Sequence, residues 1–312
     1  MNKNAKIYLA GHNGMVGAAL QRAMIIAGFQ NVITASREVL DLRDGLSVRE
    51  FFRRERPECV ILAAAKVGGI EANRRFPAEF IADNLMIQTN VIHQAHQCGV
   101  GTLVFLGSSC VYPRECPQPM KEEYLLTGPL EPTNEAYAVA KIAGLRMAQY
   151  YHQQYGMRVV CPMPCNLYGP KDSFDLQKSH VFSALVKKSV DAIDDGCDQI
   201  MLWGTGKSRR EFMHVDDLAQ AVLLLLEKWY SPEIINVGTG TDVAIAELAR
   251  LIAVTAGFRG KIYWDATMPD GMPRKCLDIT RLDRLGFCPS FSLAAGIESM
   301  IRQYRQLKGD FK

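Results

Sequence analysis

Short, mostly apolar runs recur through the first half of the chain, and each is followed by a longer stretch with helical spacing. The runs are Lys6–Ala10, Val32–Ala35, Cys59–Ala65, Leu103–Leu106 and Arg158–Met163. They are apolar on successive positions rather than alternating, the pattern of strands buried on both faces of a parallel sheet. Between them, helices are expected over Ala18–Ala27, closed by Gly28, and over Glu79–Gln97, closed by Gly99. A third contains Tyr137 and runs to about Tyr155, where Gly156 stops it. Strand and helix in alternation predict an α/β protein with a doubly wound parallel sheet. The stretch Tyr112–Asn134 is rich in Pro and Gly and reads as a long loop able to cover a bound molecule.

From Lys171 the alternation becomes irregular. A helix is expected near Val181–Ile193 and a short strand near Ile200–Trp203. Asp216–Glu227 reads as a helix and Ile234–Val237 as a strand, both returning to the first sheet. Val243–Ala256 is an amphipathic helix, Lys261–Arg284 a loop-rich stretch with two strands at most, and Leu293–Gln306 a terminal helix. The expected division is a first domain over 1–168, with 211–240 returning to it. A smaller, discontinuous second domain takes 169–210 and 241–312.

Composition narrows the function classes. With 312 residues and 48% hydrophobic content, the chain is an ordinary globular protein of one large or two smaller lobes. A net charge of +3 without a basic tract gives no support to nucleic-acid or membrane-surface binding. No apolar run approaches the roughly 20 residues of a membrane span. A strand and a glycine turn are reached by Gly11, leaving no room for a signal peptide. Nine cysteines without a C-x-x-C pair read as free thiols in a reducing, cytoplasmic setting, and no metal site is expected.

The chemistry begins at Gly11-His-Asn-Gly14-Met-Val-Gly17, which joins the first strand to the first helix. This G-x-x-G-x-x-G turn makes the first domain a Rossmann-type dinucleotide-binding domain. Gly11, Asn13, Gly14, Met15, Val16 and Gly17 are expected around the pyrophosphate at the helix N-terminus. At the end of the second strand, where an NAD site usually carries an acid for the ribose 2′-hydroxyl, Arg37 stands instead. A cation there suits the 2′-phosphate of NADP(H), the alternative being a surface arginine. Asp41 and Leu42 are placed to bracket the adenine. Ala63–Ala65, with Ala64 at its centre, is small enough for the nicotinamide ribose to lie close.

Ser108 follows Leu103–Leu106 and so sits near the carboxyl end of a strand, where open α/β sheets bind ligands. Cys110 is two residues on, pointing to the same side if the chain stays extended; by itself it could equally be a buried small apolar residue. Tyr137 and Lys141 are one helical turn apart on one face. An ammonium beside the phenol is expected to lower its pKa and let it exchange a proton near neutrality.

On these motifs the chain resembles an extended short-chain dehydrogenase/reductase. Four stretches narrow the resemblance to the GDP-L-fucose synthase family: Val67-Gly-Gly-Ile-x-Ala-Asn73, Leu106-Gly-Ser-Ser-Cys-Val-Tyr-Pro113, Asn166-Leu-Tyr-Gly-Pro170 and Pro269-Asp-Gly-Met-Pro-Arg-Lys275. The likeness runs over essentially the whole chain. It implies a multifunctional enzyme of nucleotide-sugar biosynthesis: 3,5-epimerisation of GDP-4-keto-6-deoxy-D-mannose, then NADPH-dependent 4-reduction to GDP-L-fucose. C3 and C5 both flank the C4 ketone, so their protons are acidified through the enolate. The family's cysteine and histidine match Cys110 and His180 of Lys178-Ser179-His180-Val181. Ser108 and Tyr137 would bind the C4 oxygen; Tyr137 would then protonate the alkoxide, with Lys141 tuning it and holding the nicotinamide ribose. The resemblance also places Pro164, Asn166, Leu167 and His180 at the cofactor, and Lys188, Trp203, Arg210 and Lys275 at the GDP-sugar. It implies a homodimer through the helices Glu79–Gln97 and Tyr137–Tyr155.

Sister sugar-nucleotide 4,6-dehydratases carry an Asp-Glu pair where this chain has Ser109-Cys110, so a dehydratase is disfavoured. Three departures bear on cofactor and sugar. Asn13 replaces an arginine found in some members, leaving more of the 2′-phosphate to Arg37. Cys165 stands where threonine is common and Ala136 where a bulkier residue is usual. Both leave room for a related GDP-4-keto sugar, on the GDP-L-colitose route or a 6-deoxyheptose. A non-catalytic NADP-binding regulator would show decay of the catalytic set, which is intact.

Overall fold

The computed structural model describes residues 2–176, 179–268 and 270–309. In chain order its elements are β1 (Ile7–Ala10), α1 (Met15–Ile26), β2 (Val32–Ile33), α2 (Gly45–Glu55), β3 (Cys59–Leu62), α3 (Ile70–Arg75), α4 (Pro77–Gln97), β4 (Thr102–Phe105) and α5 (Glu135–Tyr155). There follow β5 (Arg158–Pro164), β6 (Asn166–Tyr168), α6 (Val181–Asp194), β7 (Gln199–Trp203), β8 (Arg209–His214), α7 (Val215–Lys228) and β9 (Ile234–Val237). The last are β10 (Asp242–Ala244), α8 (Ile245–Ala256), β11 (Lys261–Asp265), β12 (Arg274–Lys275), α9 (Thr280–Asp283) and α10 (Leu293–Gly309).

The main sheet is ordered β2-β1-β3-β4-β5-β9, and every pairing in it is parallel. Helices α1 and α7 pack together on one face; α2, α4 and α5 pack in series on the other. Strand order reverses between β1 and β3, which opens the ligand crevice of such sheets at the carboxyl ends of these strands. The apolar runs are why the sheet forms here: β1, β3 and β9 are buried at every position.

A second apolar cluster gathers Tyr168, Phe182, Leu185 and Val186 with Leu248, Ile252, Ile297 and Met300. The Tyr168 ring stacks on Phe182 at 4.1 Å. Beside it lies a small sheet in which β8 pairs with β10, β12 and β6. Met272, Leu277 and Leu282 come from the stretch expected in the second domain, yet they pack into the main core. The return after β12 therefore crosses back to the first lobe.

Several boundaries differ from the sequence reading. The second strand pairs only over Val32–Ile33. The helix expected from Val243 begins at Ile245, because Asp242–Ala244 is a strand antiparallel to β8. Asn166–Tyr168, part of a motif that carries the resemblance, is a strand on Phe212–His214. Helix α2 is capped by Asp44, whose carboxylate accepts from the Leu46 amide at 3.0 Å, and it buries Val48, Phe51 and Phe52. No helix among the described residues is long and apolar enough to cross a membrane.

Candidate active site

The turn after β1 is held by close approach. Gly11 has φ +88°, and a Cβ there would fall 2.7 Å from the Ala64 amide nitrogen. A Cβ on Gly17 would fall 2.1 Å from the Gly11 carbonyl oxygen. The first turn of α1 is thus seated on the glycine turn and on the end of β3. Asn13 and Gly14 are exposed at its mouth, with Met15, Val16 and Ala64 half-buried beside them. No side chain caps α1, so its first amides are left for an anion.

Arg37 is exposed past the end of β2, its Nε 3.8 Å from Asp41. Asp41 is bound more tightly by Arg43, whose Nη2 lies at 2.6 Å, and that pairing pulls the Asp41 carboxyl down to about 2. Its negative charge is therefore answered by Arg43, and Arg37 stays available to a 2′-phosphate. Leu42 is buried, and its carbonyl accepts from Asn90 Nδ2 at 2.9 Å. Asn84 clamps Lys66 by accepting from its amide at 2.9 Å and donating to its carbonyl at 3.0 Å. Both asparagines hold the loops that border the crevice.

Ser108 Oγ accepts from the Cys110 amide at 3.2 Å, which curls the chain after β4 into a short 3-10 turn. Ser108 also lies beside the Tyr137 phenol, close enough to favour its ionised form slightly. Lys141 is buried, and its Nζ donates to the Leu106 carbonyl at 2.8 Å, 5.9 Å from the centre of the Tyr137 ring. Here the structure corrects the sequence reading. Burial raises the pKa of Tyr137, the Cys110 charge adds to the rise, and Lys141 does not counter it. Helical spacing made the two residues neighbours, but the ammonium has turned to a carbonyl. Burial brings Lys141 itself down to about 8. Tyr137 is therefore a firm holder of its proton, a donor rather than a ready phenolate.

Lys275, expected at the sugar nucleotide, lies with its Nζ 3.2 Å from Cys110 Sγ. Burial pushes the Cys110 thiol up, but the Lys275 ammonium, the Ser108 hydroxyl and the more distant Arg210 outweigh it, and the thiol falls below its ordinary value. His180 is the N-cap residue of α6. It lines a water-accessible wall of the cleft, and the surrounding protein lowers its pKa; the Asp172 charge opposes that and Lys275 adds to it. Asp172 is raised by the same burial and accepts from Ser183 Oγ and from the Ser173 amide at 2.8 Å. No motif or spacing singles out Asp172 in the sequence.

Arg210 donates to the Arg209 carbonyl at 2.8 Å and to the Asp270 carbonyl at 3.2 Å, which aims its guanidinium along the cleft beside Cys110. Asp270 also accepts from the Thr205 amide at 2.7 Å, tying in the turn after Trp203. Trp203 is 55% exposed at the end of β7, an aromatic face open to a planar partner. Lys188 Nζ donates to the Met201 carbonyl at 2.9 Å on the same strand. Pro164 closes β5. Asn166 Nδ2 donates to the Glu211 carbonyl at 2.9 Å, and Leu167 sits opposite Met213. Cys165 is buried, its pKa pushed up by burial. Lys178 and Pro269, which belong to the motifs read from the sequence, lie outside the described residues.

A dinucleotide cradle thus opens toward a strand-end serine, a thiol two residues beyond it, a tyrosine and a buried lysine, with a histidine at the start of α6 in the second, smaller lobe. This defines a nucleotide-dependent enzyme of the Rossmann-fold dehydrogenase type. The NAD dependent epimerase/dehydratase family matches residues 7–238, and the chain belongs to it. A GDP-L-fucose synthase 1 of Arabidopsis thaliana is 49% identical over 303 residues, 97% of this chain and 94% of that protein. The GDP-L-fucose synthase of Escherichia coli K12 is 45% identical over 98% of each chain. A GDP-D-glycero-L-gluco-heptose synthase of Campylobacter jejuni, solved in the presence of NADPH, superposes with a TM-score of 0.88 at 35% identity. That match covers 98% of this chain and 99% of its own.

Proposed function

We propose that this chain is an NADPH-dependent 3,5-epimerase and 4-reductase that converts GDP-4-keto-6-deoxy-D-mannose to GDP-L-fucose. The observation that carries the reading is the Lys275 ammonium 3.2 Å from the Cys110 thiol, in the cleft that holds Ser108 and Tyr137. A simple 4-reductase needs no thiolate there.

Ser108 and Tyr137 hydrogen-bond the C4 oxygen, so charge that develops on it when a neighbouring C–H ionises is met by two donors. Cys110, as thiolate, takes the proton from C3 or C5. His180, whose low pKa makes its protonated form a ready donor, returns one from the opposite face. NADPH held in the cradle would supply the hydride for C4. Tyr137 gives its proton to the resulting alkoxide, and Lys141 supports the ribose. The cofactor fits the residues present: a glycine turn closed on Ala64, an uncapped helix start, and Arg37 beside an acid already neutralised by Arg43. Arg210, Trp203, Lys188 and Lys275 bind the GDP-sugar, the guanidinium pairing with a diphosphate oxygen.

In this reading the main core carries NADP(H) and the second cluster the sugar nucleotide. The protein works in the cytoplasm, where its free thiols stay reduced. It pairs as a homodimer through α4 and α5, which pack together and leave Met86, Val139, Tyr150 and Tyr155 exposed. The test is NADPH oxidation with GDP-4-keto-6-deoxy-D-mannose, with NMR of the product. GDP-L-fucose is the expected product. An unepimerised sugar would remove the roles of Cys110 and His180, and bound NADPH without oxidation would shift the substrate to a dideoxy or heptose relative.

A further inference from the structure

Glu211 is a carboxylate with 0% exposure, one residue along β8 from Arg210. Side chains alternate on a strand, so it lies on the face opposite Arg210. No lysine or arginine pairs with it among the described residues. Instead Oε1 accepts from the Thr239 and Gly240 amides at 2.5 and 2.7 Å, and Oε2 accepts from the Leu277 amide at 2.8 Å. Burying an unpaired carboxylate costs stability, so amides gathered around one mark a site where that cost is retained. Room for it is specific: a Cβ on Gly238 would fall 2.2 Å from Glu211 Oε1.

The Leu277 amide is the informative contact. Lys275 is held on β8 by a strand of only two residues, in register with Arg209 and Arg210. A ladder that short does not fix a chain on its own. On the amino side of β12 the Pro273 carbonyl accepts from the Arg209 amide at 2.9 Å. On its carboxyl side, toward Lys275, the next anchors are Leu277 on Glu211 and Cys276, whose amide donates to Gln118 at 3.1 Å and whose carbonyl accepts from Met120 at 2.7 Å. Of the anchors after Lys275, only Glu211 belongs to the strand that also presents Arg210.

We propose that Glu211 is a positioning residue for epimerisation: by capturing the Leu277 amide it keeps β12 in register and so keeps the Lys275 ammonium on the Cys110 thiol. The proposal rests on the reading that Cys110 exchanges protons with the sugar. Glu211 does not reach the thiol by charge; its influence runs through the placement of Lys275.

The test is Glu211→Gln in the full chain. The amide keeps the shape, but its NH₂ meets either Leu277 N–H or the Thr239 and Gly240 amides donor to donor. Iodoacetamide modification of the Cys110 peptide, followed by mass spectrometry across pH, reads the thiolate directly. The expected result is about tenfold slower modification at neutral pH, the scale of one lost charge-assisted hydrogen bond, with the profile moved to higher pH. Lys275→Met should slow it at least as much, and the double variant should slow it no further. A folded Glu211→Gln protein with a lower Tm but the wild-type modification profile would overturn the proposal, since a merely structural role predicts that pair of results. Should Glu211→Gln fail to fold, Gly238→Ala displaces the same carboxylate, and a wild-type profile there overturns the proposal equally. Deuterium wash-in at C3 and C5 separates the two claims. Slow modification with slow wash-in supports both; slow modification with wild-type wash-in keeps the Lys275 contact but removes Cys110, and with it Glu211, from epimerisation.

Discussion

Lys141→Met should stabilise the protein at neutral pH while abolishing reduction. Lys141 is 5% exposed, and burial brings its pKa from 10.5 to about 8. In the unfolded chain it has the ordinary lysine value. Between these two values the unfolded state binds more protons than the folded one, so stability rises with pH through that window. Below about 8 the full cost of the buried charge is present, about 3 kcal/mol to an order of magnitude. Methionine has a similar length and no charge. Removing the ammonium also removes its bond to the Leu106 carbonyl, 2.8 Å long, a loss of about 1 kcal/mol or somewhat more. The expected net gain at pH 7 is about 1–2 kcal/mol, which raises Tm by a few degrees in a chain of this size. The assay is paired thermal or urea unfolding of wild type and variant at several pH values. Other titrating groups cancel in the difference. The gap should be constant below about 8 and should shrink, or change sign, toward 10.5 as the wild-type lysine loses its proton. A gap that stays constant or widens over that range would refute the assignment of Lys141 as a charge held at a loss for function.

Three further changes separate the parts of the site. Cys110→Ser should leave NADPH binding intact and lower deuterium wash-in at C3 and C5 by 10²-fold or more, the scale of a lost acid–base group; unchanged product stereochemistry would remove the thiol from the mechanism. Arg37→Ala should raise KM for NADPH about tenfold or more and leave NADH use nearly unchanged, read from steady-state kinetics with both cofactors. Arg210→Gln should raise KM for the GDP-sugar by about 10- to 100-fold with a smaller effect on kcat, and equal losses in both would place the guanidinium at the reacting carbons instead.

What could be read from the sequence was local. Ser108 at a strand end, Tyr137 and Lys141 one turn apart, and a glycine turn between strand and helix are arrangements that neighbouring residues impose. Helix α2 was equally legible and was passed over: Val48, Phe51 and Phe52 stand at helical spacing behind Asp44. The Cys110–Lys275 contact was not legible, since the partners are 165 residues apart and meet only once β12 has paired with β8. Arg209-Arg210-Glu211 places three charges in a row, yet it is a strand paired with β10 and β12, and backbone amides from Thr239, Gly240 and Leu277 answer its buried carboxylate. The direction of the Tyr137 shift is hidden from the sequence for a related reason. Spacing gives adjacency, but only packing decides that Lys141 Nζ meets the Leu106 carbonyl.

The electrostatics of the cleft also bear on how one site runs two proton transfers in order. Cys110 is lowered by Lys275, and its charge is one of the causes that raise Tyr137. A thiolate at Cys110 therefore opposes a phenolate at Tyr137, so the cleft does not hold both bases together. In the proposed reaction, while Cys110 is charged Tyr137 keeps its proton and donates a hydrogen bond to the C4 oxygen, which is what enolate stabilisation requires. Once Cys110 has taken a proton, that opposition is gone and Tyr137 becomes the better acid, the state suited to protonating an alkoxide at C4. Ser108 Oγ accepts from the Cys110 amide at 3.2 Å and also lies beside the Tyr137 phenol. Placing the thiol and the phenol within reach of each other's charge thus makes each transfer favour the protonation state that the next one needs.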